Sequence, residues 1–186
     1  MATHEFMHAF VSHKLGDNTA LDEGRLSLNP LRHVDPIMTV LLPAITLLVF
    51  HVPIMAAKPV PFNPNRVKYG EYGAAMVAAA GPFTNLLLAF LGAAFVQLLT
   101  PGSFIMAALE VFIQLNVALF VFNLIPIPPL DGSRVLYAFA PKPVQDFMEQ
   151  IEPYGFFIIF ALVLMPGFGL GELIYNLNAY VLNLLP

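Results

Sequence analysis

The apolar residues of this chain form long runs, and the polar residues gather in stretches between them. The apolar segments are residues 37–57, 74–99 and 103–125, followed by a C-terminal pair at 151–165 and 168–186. From residue 74 to residue 125 the only charged side chain is Glu110. Because about 20 consecutive apolar residues suffice to cross a bilayer as a helix, the pattern predicts an all-α membrane protein, a polytopic helical bundle.

Two of these segments are predicted to pair as a helical hairpin. Segments 74–99 and 103–125 are joined by a turn around Gly102 that allows only an antiparallel return. Gly81-Pro82 lies inside the first segment, and membrane helices tolerate such a pair when neighbouring helices satisfy the freed backbone groups. By contrast, Pro166-Gly167 separates the two segments of the C-terminal pair.

The polar stretches are residues 12–36, 58–73 and 126–150. In the first, the turn signal Gly16-Asp17-Asn18 is followed by three leucines that are interleaved with polar residues, Leu21, Leu26 and Leu28. This alternation favours a short β-hairpin over residues 19–30 rather than a helix. The second stretch is rich in proline, and we expect it to be extended or looped.

Composition narrows the function classes further. Hydrophobic residues make up 58% of the 186 residues and charged residues 11%, whereas soluble domains are roughly a quarter charged. A net charge of −4 with eight Lys and Arg residues gives no basic surface for nucleic acid. The chain has no cysteine, so disulfides and thiolate metal sites are excluded. The length suits a single membrane-embedded domain, residues 1–186.

The clearest chemical motif is H-E-x-x-H at the N-terminus, where His4, Glu5 and His8 stand in the required spacing. On a helix, His4 and His8 are one turn apart on the same face and can bind one zinc ion. Glu5 is displaced around the helix but close enough to take a proton from a water at the metal. The motif therefore predicts a catalytic metal site.

A catalytic zinc has three protein ligands and one open position, so a third ligand is needed. The remaining histidines, His13, His33 and His51, do not share the face of the motif or lie in suitable segments. Asp131 is a better candidate, because it follows an apolar helix that prolines 126, 128 and 129 break. An ionisable group beside broken helical backbone at membrane depth is a functional candidate. The alternative is an interfacial aspartate that starts the next turn.

Three motifs in this order resemble the core motifs of the site-2 protease family, in its compact bacterial and archaeal branch. They are His4-Glu5-Phe6-Met7-His8, Ala80-Gly81-Pro82-Phe83-Thr84-Asn85, and Asn123-Leu124-Ile125-Pro126-Ile127-Pro128-Pro129-Leu130-Asp131-Gly132. The resemblance spans residue 3 to about residue 140. Together the three motifs are far more specific than H-E-x-x-H alone.

This resemblance implies an intramembrane zinc metalloendopeptidase with one Zn²⁺ per chain. It implies that His4, His8 and Asp131 are the zinc ligands and that Glu5 is the general base. Asn85 and Asn123 match the family's polar positions near the substrate, where an amide can hold substrate backbone or an oxyanion. The expected partners are the lipid bilayer and a transmembrane protein substrate, whose unwound segment could pair with the edge of hairpin 19–30 or with the proline run 126–129.

The zinc hypothesis also constrains the path of the chain through the membrane. Ligands of one metal lie at one depth, so an even number of crossings separates stretch 12–36 from stretch 126–150. Two helices supply that number, and segment 37–57 is then expected to be re-entrant near the active site or to lie shallow in the membrane. All eight basic residues fall in the polar stretches, namely Lys14, Arg25, Arg32, Lys58, Arg66, Lys68, Arg134 and Lys142. By the positive-inside rule we expect a multi-pass cell (inner) membrane protein with its active site toward the cytoplasm.

One feature departs from the family pattern. Only three residues precede His4, whereas family members place the motif well inside a membrane helix. We therefore expect that this chain lacks one or two N-terminal helices, either as a fragment or through a start at an internal methionine. The alternatives are a short, inactive membrane binding or scaffold protein that retains the motifs, and a zinc transporter.

Overall fold

The computed structural model describes residues 1–35, 60–164 and 169–186, together with positions 41, 44, 47 and 48. Within these ranges the regular structure is helical, which confirms the all-α prediction. The α-helices are α1 (Ala2–Lys14), α2 (Thr19–Asp22), α3 (Glu71–Val96), α4 (Phe104–Asn123), α5 (Asp131–Phe139), α6 (Lys142–Ile151), α7 (Gly155–Leu164) and α8 (Leu170–Leu184). Short 3-10 turns occupy Pro30–Arg32 and Glu152–Tyr154.

Helices α3 and α4 form the predicted hairpin. Both are long and apolar enough to cross a membrane, with 26 and 20 residues, and 20 residues extend about 30 Å, the thickness of a bilayer's hydrocarbon core. Gly102 adopts φ 79° in the turn between them. Ser103 then caps α4, because its Oγ accepts a hydrogen bond from the Met106 amide at 3.2 Å. The described chain thus contains two candidate membrane spans.

Helix α3 is the central element, since it packs against α1, α4 and α5. Its face toward α4 carries small residues, and Ala89 and Ala93 pack there against Ile113, Val117 and Val121. Small side chains let membrane helices approach closely, which dispersion contacts and hydrogen bonds then stabilise. Helix α3 therefore supports α1, which carries the metal motif, and α5, which begins at Asp131.

Pro82 lies inside α3 without ending it. Proline lacks an N–H and crowds the carbonyl one turn earlier, so the turn around Pro82 has carbonyl groups available to other partners. The helix nevertheless continues to Val96.

The β-hairpin predicted for residues 19–30 is wrong. These residues form helix α2, a set of turns and the start of the first 3-10 turn. Asp17 decides the local structure, because its carboxylate accepts hydrogen bonds from the backbone N–H and the hydroxyl of Thr19 at 3.1 and 2.5 Å. The leucine alternation did not mark a buried sheet face, since Leu21 and Leu28 are 42% and 59% exposed. Residues 19–30 therefore offer no strand edge to a substrate.

The end of α1 is joined to the residues that precede α3. The Lys68 amide donates to the Leu15 carbonyl at 2.9 Å, and the Asn63 amide donates to the Asp17 carboxylate at 2.7 Å. These bonds hold the first two polar stretches together at one end of the helices. The predicted re-entrant segment 37–57 lies outside the described residues apart from positions 41, 44, 47 and 48.

Candidate metal centre

Helix α1 presents His4 and His8 on one face, as the H-E-x-x-H spacing predicts. Both side chains are buried. Their ring centroids lie 4.6 Å apart, and the ring planes are nearly perpendicular, at 85°. In this arrangement the two imidazoles direct nitrogen atoms toward a common point rather than stacking on each other.

The carboxylate of Asp131 reaches the same point from the first residue of α5, far along the sequence from α1. Leu130 is extended, with ψ 155°, and α5 begins at Asp131 directly after it. The next residue must be glycine, because a Cβ on Gly132 would lie 2.2 Å from the Leu124 carbonyl oxygen. This close approach folds the start of α5 back against the end of α4 and brings the carboxylate of Asp131 to the histidines.

The three side chains converge within ion-pair distance of one another. Asp131 Oδ2 lies 3.2 Å from His4 Nε2 and 3.4 Å from His8 Nε2. Although these distances are short, Oδ2 is buried and neither contact has the geometry of a hydrogen bond. The candidate ligand atoms of the three residues all lie within 4.8 Å of one another.

This geometry fits a zinc ion. Ligand atoms at 2.0–2.2 Å from a tetrahedral zinc are about 3.3–3.6 Å from one another. The separation from Asp131 Oδ2 to His8 Nε2, 3.4 Å, lies in this range, and the separation to His4 Nε2, 3.2 Å, lies just below it. Two imidazoles and one carboxylate are also a donor set that zinc enzymes use, with the fourth position left for water. The residues present are therefore suited to hold Zn²⁺.

Helix α3 supports the outer side of each imidazole. His8 Nδ1 lies 2.7 Å from the Val77 carbonyl oxygen and can donate its proton there. His4 Nδ1 lies 3.0 Å from the Nδ2 atom of Asn85. In both rings Nδ1 faces α3 while Nε2 faces Asp131, so Nε2 is the atom available to a metal in each case.

Gly81 allows this contact between α1 and α3. A Cβ at Gly81 would lie 2.4 Å from His8 Nε2 and 2.7 Å from His4 Cε1, so any side chain would occupy the space that the two rings share. No role at the metal was predicted for Gly81 from the sequence. The signal was present, because a Gly-Pro pair in an otherwise apolar helix is a position where another group approaches the backbone closely.

The structure separates the remaining predicted site residues. Glu5 is buried on α1 beside the two histidines. Asn85 is fully buried and contacts His4, whereas the Nδ2 atom of Asn123 donates at 2.9 Å to the Leu119 carbonyl of its own helix. The structure thus brings His4, His8, Asp131 and Asn85 into one cluster and leaves Asn123 paired within α4.

Part of the chain, from the end of α3 to the C-terminal helices, matches a known protein family. The family model described as peptidase family M50 matches residues 97–166. This range includes Asp131 and the preceding proline run, while the motif on α1 lies before it. No solved structure shows a significant match to the chain.

Curated relatives extend the similarity over most of the chain. YwhC of Bacillus subtilis is 38% identical over 172 residues, which cover 88% of this chain and 75% of YwhC. Rip2 of Mycolicibacterium smegmatis is 29% identical over 174 residues, covering 90% of this chain and 64% of Rip2. MJ0611 of Methanocaldococcus jannaschii is 40% identical over 60 residues, which are 32% of this chain and 31% of MJ0611. Each bears the curated name "Putative zinc metalloprotease". On this similarity, the chain belongs to peptidase family M50, the site-2 proteases, which are zinc metalloproteases.

Proposed function

We propose that this zinc metalloprotease cleaves peptide bonds within or next to transmembrane segments of other membrane proteins. We further propose that His4, His8 and Asp131 hold the zinc ion and that Glu5 is the general base. The observation that carries the proposal is the convergence of three buried ligand atoms, with Asp131 Oδ2 at 3.2 and 3.4 Å from the two histidine nitrogens.

The depth of the cluster supports a substrate within the membrane. Val77, Gly81 and Asn85, which face the histidines, lie between the seventh and the fifteenth of the 26 residues of α3. At 1.5 Å per residue they lie about 9–21 Å along the helix axis from Glu71. A site at this depth on a candidate membrane span is reached by a peptide that is itself in the bilayer. The preferred substrate is therefore a transmembrane segment that has unwound locally to expose its carbonyl groups.

Peptide hydrolysis requires a general base and a hydrogen-bond donor to the substrate as well as the metal. When bound, zinc polarises a carbonyl group and lowers the pKa of water toward about 7. Glu5 removes a proton from the attacking water, whose oxygen bonds to the scissile carbonyl carbon. Glu5 then delivers that proton to the amide nitrogen as the carbon–nitrogen bond breaks. One water is consumed, and the products are a carboxylate and a protonated amine. We assign Asn123 to the substrate backbone, as the resemblance implies.

The joined polar stretches support a site that opens toward the cytoplasm. Because the Lys68 amide bonds to the Leu15 carbonyl, the end of α1 and the approach to α3 lie on one side. Helix α4 returns antiparallel to α3, so Asp131 and the residues after it come back to that side. The basic residues of the chain occur in these stretches, and the positive-inside rule makes that side cytoplasmic. We infer a multi-pass inner-membrane protein.

The proposal is tested by cleavage in reconstituted vesicles. The purified chain is mixed with a panel of single-span substrates and with the same sequences as soluble peptides. We expect cleavage of a membrane-embedded substrate, loss of cleavage on chelation, recovery with Zn²⁺, and neither bound zinc nor cleavage in Asp131→Ala. Zinc binding without cleavage of any membrane substrate would contradict the proteolytic role. Zinc binding that Asp131→Ala leaves unchanged would contradict the assigned ligand set.

A further inference from the structure

Asn85 is the polar side chain of α3 that is most completely enclosed. It is 0% exposed, and it lies on a helix whose other buried residues are glycine, alanine, valine and proline. Its Nδ2 atom lies 3.0 Å from His4 Nδ1, while its Oδ1 atom is buried and has no hydrogen-bond partner. A buried amide costs free energy unless its groups are paired, so its position beside His4 calls for a functional explanation.

The orientation of the His4 ring determines which of its two nitrogen atoms carries the proton and faces Asn85. His4 Nε2 faces Asp131 at 3.2 Å, so Nε2 is the nitrogen that binds a metal and must be free of hydrogen. A neutral imidazole then carries its proton on Nδ1, which makes Nδ1 a donor that needs an acceptor. A half-turn of the Asn85 amide exchanges two groups of nearly equal size and places Oδ1 at that nitrogen.

We infer that Asn85 is a positioning residue for the metal centre, accepting the Nδ1 proton of His4 and thereby holding its ring with Nε2 toward the zinc. The inference rests on the proposed role of His4 as a ligand. It differs from the role that the family resemblance implies for Asn85, which is contact with substrate. A substrate-binding amide needs an accessible N–H, and Asn85 is enclosed between α1 and α3.

The second histidine supports this reading by comparison. His8 Nδ1 faces the Val77 carbonyl at 2.7 Å, so its ring has a backbone acceptor on the same helix. Both imidazoles are therefore held from α3, one by a main-chain oxygen and one by a side chain. Outer hydrogen bonds of this kind orient the ligand and raise its basicity, and their loss typically costs 10–100-fold in metal affinity or activity.

The test compares two substitutions at Asn85 with a matched control. Asn85→Leu keeps the volume and removes the acceptor, whereas Asn85→Asp keeps an acceptor oxygen. Asn116→Leu is the control, because Asn116 is a buried amide on the adjacent helix α4 whose Nδ2 donates at 2.8 Å to the Phe112 carbonyl of that helix. For each variant the zinc dissociation constant is measured by competition with a chelator, in micelles, together with thermal unfolding.

We expect Asn85→Leu to weaken zinc binding about 10–100-fold, Asn85→Asp to restore it, and Asn116→Leu to leave it unchanged. Unchanged zinc affinity in Asn85→Leu, with slower substrate cleavage, would overturn the inference in favour of a substrate contact. Equal loss of zinc in both Asn85 variants, with lower unfolding midpoints, would overturn it in favour of packing. A different result would show that the underlying proposal, that His4 is a zinc ligand, is wrong. In that case His4→Ala would bind zinc as tightly as the unsubstituted chain does.

Discussion

Gly81 of α3 faces His8 of α1 so closely that a Cβ built on the glycine would lie 2.4 Å from the imidazole Nε2 atom. The contact places the backbone of a candidate membrane span directly against a candidate metal ligand. It also explains why the central helix contains a glycine next to Pro82, at the level where α1 crosses it. Helix α3 is thus part of the wall of the metal site as well as a support for its neighbours.

The Gly81→Ala substitution is expected to displace both histidines. An added methyl group in a packed interior costs about 1–3 kcal/mol of stability, and here the atoms that must move are the ring atoms of His4 and His8. We expect zinc affinity to fall by on the order of 100-fold. Zinc content after dialysis and the unfolding midpoint measure the two effects.

Gly92→Ala is the matched control for this prediction. Gly92 lies on the same helix, and its added Cβ would meet the Ile113 side chain at 2.9 Å. This variant is expected to lose stability while it retains zinc. Equal zinc affinity in Gly81→Ala and Gly92→Ala would mean that the two rings can accommodate a methyl group at position 81. The backbone of α3 would then not form the proposed wall of the metal site.

Glu5→Gln separates catalysis from metal binding. Glutamine has the size of glutamate but cannot accept the proton of the attacking water, so cleavage is expected to fall about 10²–10⁴-fold. Zinc content should stay at one ion per chain, because Glu5 is outside the group of three convergent ligands. Cleavage and zinc content are measured on the same preparation, with His4→Ala as the variant that loses both. Full activity in Glu5→Gln would remove Glu5 from the mechanism.

Asp17 is expected to make stability depend on pH in the acid range. Burial alone would raise the pKa of this carboxyl, but hydrogen bonds from Thr19, Asn63 and Ser12 outweigh burial and hold the pKa below its ordinary value. A lowered folded-state pKa gives stability that is complete above the unfolded pKa of about 3.9 and is lost as pH falls through the folded value. The loss therefore begins below about pH 4.

Asp17→Asn tests this prediction, because asparagine cannot accept all of these hydrogen bonds. We expect it to be less stable at pH 7 by about 1–3 kcal/mol, the cost of leaving buried donors unsatisfied. The difference in unfolding midpoint between the two chains should narrow as pH falls from 5 to 2. A difference that stays constant over this range would show that the Asp17 carboxylate does not contribute through its charge.

Cysteine labelling tests the proposed topology, and the natural absence of cysteine leaves no background. Lys68→Cys and Lys142→Cys are expected to react with a membrane-impermeant reagent from the cytoplasmic side. Thr100→Cys, in the turn between α3 and α4, is expected to react from the opposite side. Labelling of positions 68 and 142 from opposite sides would contradict the two crossings, by α3 and α4, that are proposed between the second and third polar stretches.

The helices and the residues of the candidate metal centre could be predicted because both depend on short-range spacing. The long apolar runs predicted α3 and α4 to within three residues at each end, since backbone in a bilayer must satisfy its own hydrogen bonds. The spacing of His4 and His8 implied one helical face, and the proline break marked Asp131. By contrast, the strand predicted from the alternation at Leu21 and Leu28 was wrong. Asp17 organises turns there through hydrogen bonds, and a pattern of apolar and polar residues does not predict such bonds.

What the sequence by itself determined is the class of protein and the three residues that converge at the candidate metal centre, because hydrophobic length and motif spacing act within a single segment. What only the tertiary structure decided is how those segments meet. The approach of Gly81 to His8, the contact of Asn85 with His4 and the bond from Lys68 to Leu15 each join residues from separate helices or stretches. Such contacts depend on the crossing of two elements, and no local pattern in either element specifies that crossing.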